Sequence, residues 1–170
     1  MAITIKTQDQ IEKMRVAGGI LIDLIDILEE MIKPGVTTDE LDKVAEDFIR
    51  SRGAEPSFLG YGGYPKTLCT SVNEEIVHGI PSSRKLKNGD IISIDMGAYI
   101  NGYHGDCART YGVGEISEAD RKLIEVTRQS FFEGIKYAKA GHHLHEISAA
   151  IGAYAESFGP DAPITRQQAM

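Results

Sequence analysis

The sequence predicts an α+β fold, an antiparallel sheet with helices packed on one of its faces, and three observations carry that prediction. Two capped amphipathic helices open the chain, an Asn-Gly hairpin of alternating apolar residues lies in the middle, and two further helical patterns follow it. Helices segregated from a run of antiparallel strands give this class rather than alternating βαβ units.

Thr7 followed by Gln10 makes a capping box, after which Ile11, Met14, Ala17, Leu21, Leu24, Ile25 and Leu28 recur at helical spacing until Lys33-Pro34-Gly35 ends the run. Thr37 and Glu40 repeat the cap, and Leu41, Val44, Ala45, Phe48 and Ile49 form the apolar stripe of a second helix that stops near Gly53. Residues 54–65, rich in Gly, Pro and Tyr, read as a loop, and Thr67 to Val72 and Ile76 to Gly79 read as short strands. Within Ile91 to Tyr111 the Asn101-Gly102 pair suits a two-residue type I′ turn, so Ile100 pairs with Tyr103 and partner numbers sum to about 203. Ser117 with Asp120 caps a third helix reaching about Ala140. A fourth runs from about Leu144 to Ser157 before Gly159-Pro160 breaks it, leaving an irregular tail over residues 160–170 and one domain over residues 1–159.

Composition narrows the function classes. The chain has 170 residues, 42% hydrophobic and 25% charged, which is ordinary for a globular domain with a sizeable core. A net charge of −7, with Arg84-Lys85-Leu86-Lys87 as the longest basic run, argues against nucleic-acid binding. Cys69 and Cys107 show no CxxC spacing, which fits a reducing cytoplasm. The opening MAITIKTQDQ lacks an apolar leader core and nothing approaches a membrane span, so neither export nor a membrane is expected.

The hairpin register decides where chemistry is sought. Asp95 faces Ala108 and Asp106 faces Gly97, so Asp95, Gly97 and Asp106 share one face, while Ile92, Ile94, Met96, Ala98 and Ile100 form the core face. Diagonal cross-strand neighbours lie roughly 7–8 Å apart, a separation that lets two short carboxylates converge on divalent ions spaced roughly 3.5–4 Å from each other. Paired like charges repel unless a cation or proton compensates, and Gly97, Ala108 and Gly105 leave room around them. Two solvated carboxylates on an exposed sheet face are the alternative reading.

His78, at a chain opening in Ile76-Val77-His78-Gly79-Ile80-Pro81, is a candidate acid/base or charge-stabilising residue beside such metals, or else a loop histidine with no task. Phe58, Tyr61, Tyr64 and Cys69 surround the Gly-rich loop and are candidates either for an apolar pocket taking an unbranched side chain or for plain packing against the core. His104 shares the face of Asp106 and is placed for a supporting or substrate contact. His142, His143 and His145, after Gly141 at a helix start, read as solvated surface in preference to a metal site.

Taken in order, Gly60-Tyr61-Gly62-Gly63-Tyr64-Pro65-Lys66, Ser71-Val72-Asn73-Glu74, Val77-His78-Gly79-Ile80-Pro81, Gly89-Asp90-Ile91, Asp95-Met96-Gly97 and Gly102-Tyr103-His104-Gly105-Asp106 resemble type I methionine aminopeptidases. The resemblance extends to about Gly159. It implies a pita-bread fold and a dinuclear centre of divalent ions, Co²⁺, Mn²⁺, Fe²⁺ or Zn²⁺, that removes the initiator methionine from nascent polypeptides. By motif it implies Asp95 and Asp106 as two of five metal ligands and His78 as the histidine that contacts substrate and stabilises the transition state. Tyr61, Tyr64 and Cys69 match positions lining the methionine pocket.

The family's other three ligands, a histidine in a Gly-His-Gly-Ile-Gly motif and two later glutamates, have no counterpart. Only Asp161 and Thr165 in the tail offer ligand atoms, and neither stands in a matching motif. The expectation is the N-terminal portion of such a fold, truncated before its C-terminal part, with nascent chains at the ribosome as partners and self-association through the surface left by the missing half. A non-catalytic pita-bread binding module or inactive fragment is the competing reading. An X-Pro peptidase of the same fold is a third, disfavoured by the tyrosine-lined loop with Cys69.

Overall fold

Asparagine-glycine at the centre of the chain closes a ten-on-ten-residue hairpin, and the rest of the sheet is built on it. The computed structural model describes residues 4–158. Its elements are helix α1 (Gln8–Met31), helix α2 (Thr38–Ser51), strand β1 (Glu55–Pro56), a 3₁₀ turn (Tyr61–Gly63), strands β2 (Leu68–Val72), β3 (Ile91–Ile100) and β4 (Tyr103–Gly112), and helices α3 (Glu118–Ile135) and α4 (Leu144–Glu156). Among the described residues they form two compact units, divided after Glu115.

In the first unit β3 is central. β4 pairs along one side of it in antiparallel register from Ile91↔Gly112 to Ile100↔Tyr103, and β2 and β1 pair in succession along the other side. Both capping boxes form: the Thr7 and Thr37 hydroxyls accept from the N–H groups of Gln10 and Glu40, whose side chains return to the cap N–H groups. The apolar stripes of α1 and α2 then cover one sheet face. Leu21, Leu24 and Leu28 of α1, Leu41 and Ile49 of α2, and Ile92, Ile94 and Met96 of β3 lie fully buried together. Gly105 permits this approach, because a Cβ there would stand 2.8 Å from the backbone of Ala17 and Gly18. The expected room that Gly105 leaves around the carboxylates is therefore on the opposite face, where α1 occupies it.

Two local expectations are corrected. Ile76–Gly79 forms no strand, since Asn73 and His78 both adopt left-handed backbone, φ 57° and 58°, which breaks an extended run. The segment is held to β2 instead at Gly79, whose carbonyl accepts from the Thr70 N–H at 2.7 Å and whose N–H donates to Ser71 Oγ. The third helix ends at Ile135 rather than near Ala140, where the Tyr137 and Ala138 N–H groups turn back to the carbonyls of Gly134 and Ile135.

In the second unit α3 and α4 pack on each other around Gly134, where a Cβ would stand 2.6 Å from Ile151 Cγ1. Ser117 caps α3 as its spacing predicts, its hydroxyl accepting from the Asp120 N–H. The break at Gly159-Pro160 and the tail over residues 160–170 lie outside the described residues. Among the described residues no helix is long and apolar enough to cross a membrane.

Candidate metal and substrate site

The hairpin turn is of the expected kind, with Asn101 and Gly102 both left-handed at φ 56° and 84°. That turn sets the register, Asp95↔Ala108 and Gly97↔Asp106, and puts both carboxylates on the face away from the leucine core. They differ in environment. Asp106 is exposed, whereas Asp95 is half-buried and its Oδ1 is fully enclosed with no hydrogen-bond partner. Burial pushes the Asp95 carboxyl above its ordinary value, the negative charge of Asp106 pushes it further, and the Met96 N–H and His78 offset part of this.

An enclosed carboxylate oxygen without a donor, next to a second carboxylate, is the arrangement that a cation relieves. Hard oxygen donors suit divalent ions, so the two residues fit such a group. Among the described residues no set of three or more His, Cys, Asp or Glu side chains is gathered closely enough to hold a metal.

β2 brings the next groups. Cys69 pairs directly with Asp95 and so shares its face; the thiol is buried, and burial pushes its pKa up, with Asp95 and Asp106 adding to the rise and Tyr64 opposing it. Tyr64 is half-buried beside it, its hydroxyl donating to the Leu68 carbonyl at 2.9 Å and reaching the Gly79 carbonyl at 3.3 Å. Burial holds the phenol well above its ordinary value, so it stays a neutral donor. Tyr61, on the 3₁₀ turn, is 81% exposed, so the structure gathers Tyr64 and Cys69 beside Asp95 and leaves Tyr61 facing solvent.

The loop after β1 covers Gly97. A Cβ on Gly97 would stand 2.7 Å from Ser57 Cβ and 2.9 Å from Phe58 Cε1. The space expected at Gly97 is thus filled by this loop, and the glycine is needed for the loop's approach rather than for the carboxylates. Ser57 Oγ shares a hydrogen bond of 2.9 Å with His104 Nδ1, and the His104 ring lies 4.5 Å from that of Tyr99, its cross-strand partner. His104 is therefore held on the carboxylate face of the sheet.

His78 is exposed on its left-handed turn. Gly79 fastens it: its carbonyl accepts from Thr70, its N–H donates to Ser71 Oγ at 3.2 Å, and a Cβ there would stand 2.3 Å from the Thr70 oxygen. In the second unit, His142 Nδ1 lies 3.0 Å from Glu146 Oε1 and the rings of His143 and His145 stack at 5.5 Å, an arrangement internal to the start of α4.

Asp42 escaped the reading of the sequence. Its Oδ1 accepts from the Thr67 and Leu68 N–H groups at 2.9 and 2.8 Å, pinning the start of β2, and Lys66 Nζ stands 3.9 Å from Oδ2. The available signal was spacing: Thr38, Asp42, Ala45 and Ile49 recur at helical intervals and are all buried.

The family model for metallopeptidase family M24 matches residues 12–166. The chain belongs to metallopeptidase family M24. It is 56% identical over 158 residues to the methionine aminopeptidase of Clostridium acetobutylicum, covering 92% of this chain and 63% of that protein. It is 54% identical over 155 residues to methionine aminopeptidase 1 of Bacillus subtilis, covering 91% and 62%. Among solved structures, methionine aminopeptidase from Rickettsia prowazekii superposes with a TM-score of 0.90 at 39% identity, over 92% of this chain and 63% of that one. A Bacillus anthracis Xaa-Pro dipeptidase superposes at 0.80 with 27% identity. The M24 chain described here thus has the N-terminal portion of the pita-bread architecture that the motifs imply, and it spans about 63% of the length of the methionine aminopeptidases just named.

Proposed function

We propose that the chain carries part of a metal-dependent aminopeptidase that hydrolyses the initiator methionine from nascent polypeptides, with residues 1–159 as the partial catalytic domain. The observation that carries this reading is the carboxylate pair on the hairpin, one oxygen of which is enclosed without a partner. Asp95 and Asp106 hold two divalent ions, of the Co²⁺, Mn²⁺, Fe²⁺ or Zn²⁺ type, together with ligands from outside the described residues. Ions bound there supply Lewis-acid polarisation of the scissile amide. His78 steadies charge developing at that amide, and Cys69 and Tyr64 line the pocket for the methionine side chain, where a soft thiol suits a thioether, with the solvent-facing Tyr61 at its mouth.

Methionine is favoured over an X-Pro substrate by the identities, 56% and 54% to the methionine aminopeptidases against 27% to the Xaa-Pro dipeptidase. A nascent-chain substrate supports a cytoplasmic location near the ribosome. A second reading, a non-catalytic binding module or inactive fragment, is favoured by one observation: among the described residues no group of three or more His, Cys, Asp or Glu could hold a metal ion.

The test is methionine release from a Met-Ala-Ser peptide with added Co²⁺ or Mn²⁺, run beside oligomeric mass and Mn²⁺ binding by calorimetry. Asp106→Asn is expected to weaken Mn²⁺ binding by at least about tenfold, since even supporting residues around a metal are worth that much. Unchanged binding overturns the metal face. Metal binding without methionine release marks the inactive-fragment reading.

A further inference from the structure

Tyr64 matches a pocket position, yet its hydroxyl does not address the pocket. It donates to the Leu68 carbonyl at 2.9 Å and lies 3.3 Å from the Gly79 carbonyl, which also accepts the Thr70 N–H at 2.7 Å. One phenol therefore touches both the first residue of β2 and the residue following His78. The His78 turn has few other attachments. His78 itself is exposed and left-handed, Ile76, Val77 and Ile80 are 47%, 57% and 57% exposed, and no ladder joins this segment to the sheet. Gly79 is the contact point, pressed so closely on Thr70 that a side chain has no space there.

We propose that Tyr64 is a positioning residue for His78: its hydroxyl clamps the Gly79 carbonyl against the start of β2 and so sets where the neighbouring imidazole stands relative to Asp95. The ring serves the pocket and the hydroxyl serves the histidine. At neutral pH the phenol keeps its proton, as any tyrosine does, and burial raises its pKa further. Cys69, the cross-strand partner of Asp95, stands between Leu68 and Thr70, the two β2 residues that the clamp joins. The inference rests on the reading of His78 as a site residue, but its test needs neither metal nor turnover.

Tyr64→Phe removes the hydroxyl and keeps the ring, including its ring current. In the isotopically labelled full chain, the variant is expected to shift the His78 imidazole resonances and to speed amide exchange at Thr70 by roughly 2- to 10-fold, the range that loss of one neutral hydrogen bond gives. Wild-type His78 resonances overturn the proposal, even if the unfolding midpoint falls, because a merely structural tyrosine would lower stability without moving the imidazole. Gly79→Ala reaches the same clamp from the other side by forcing a Cβ onto the Thr70 oxygen. It is expected to move the same His78 resonances with Tyr64 intact, and a stationary imidazole there also overturns the proposal. Failure of Mn²⁺ binding would strike the aminopeptidase reading alone.

Discussion

The sheet unit and the helix pair are made from the same local ingredients and end with different burial. α1, α2 and α3 all begin at a Thr or Ser cap followed by a regular apolar stripe. In the sheet unit the stripes meet β3, and Leu21, Leu24, Leu28, Leu41 and Ile49 lose all contact with water. In the helix pair only Val126, Ser130 and Gly134 of α3 are buried, and no residue of α4 is. Phe131, Phe132, Ile135 and Leu144 stay 53%, 45%, 50% and 82% exposed. Caps and periodicity specify a helix; burial needs a wide, complementary apolar surface, and a ten-residue hairpin supplies one where a single neighbouring helix does not. Folding free energy therefore concentrates in residues 4–115.

The sharpest way to break this contrast is to cut the core of the sheet unit. Leu24→Ala is expected to cost about 2–5 kcal/mol in a urea unfolding curve followed by circular dichroism, the range for a fully buried leucine. A loss below about 1 kcal/mol, close to the scale of exposed sites, would show that α1 does not anchor the sheet.

Next in size is Asp42, the buried carboxylate at the head of β2. Asp42→Ala strands the Thr67 and Leu68 N–H groups and is expected to cost about 1–3 kcal/mol. The residue also has a pH signature. Burial raises its pKa above the ordinary 3.8, against the lowering pull of the Leu68 and Thr67 N–H groups and Lys66. A carboxyl whose folded pKa lies above its unfolded one contributes stability in full below 3.8 and loses it as pH rises through the folded value. Stability of the wild type minus that of Asp42→Asn should therefore fall as pH rises from 3.8 upward, and a flat or rising difference would refute the burial argument.

The smallest effect sharpens the comparison from the other side. Phe132→Ser on the exposed flank of α3 is expected to shift stability by no more than about 0.5 kcal/mol, as surface changes do. A loss near that of Leu24→Ala would mean that the aromatic flank is covered in solution, and the oligomeric mass of wild type and variant would then show by what.

Much of the fold was legible because its signals are local. Thr7 with Gln10 and Thr37 with Glu40 each need only four residues to define a helix start, and Asn101-Gly102 needs two to define a turn. From that turn, the period of two in a strand carried Asp95 and Asp106 to one face without any knowledge of the rest of the chain. Signals that depend on what sits across from a residue were not legible. Gly97 and Gly105 looked like space beside the carboxylates, but one is covered by Ser57 and Phe58 and the other by α1. Ile76–Gly79 has the composition of a strand and is a turn, because its hydrogen bonds go to Tyr64, Thr70 and Ser71 rather than to a neighbouring ladder.

Local sequence signals suffice for the helices, the hairpin, its register and the shared face of the two carboxylates, since caps, turn dipeptides and side-chain alternation act over a few residues. Long-range packing is what encloses an oxygen of Asp95 while Asp106 stands in water, lets Asp42 pin β2 and brings Tyr64 to the His78 turn. Burial and long-range hydrogen bonds depend on which distant backbone arrives opposite a side chain, and no local pattern encodes that arrival.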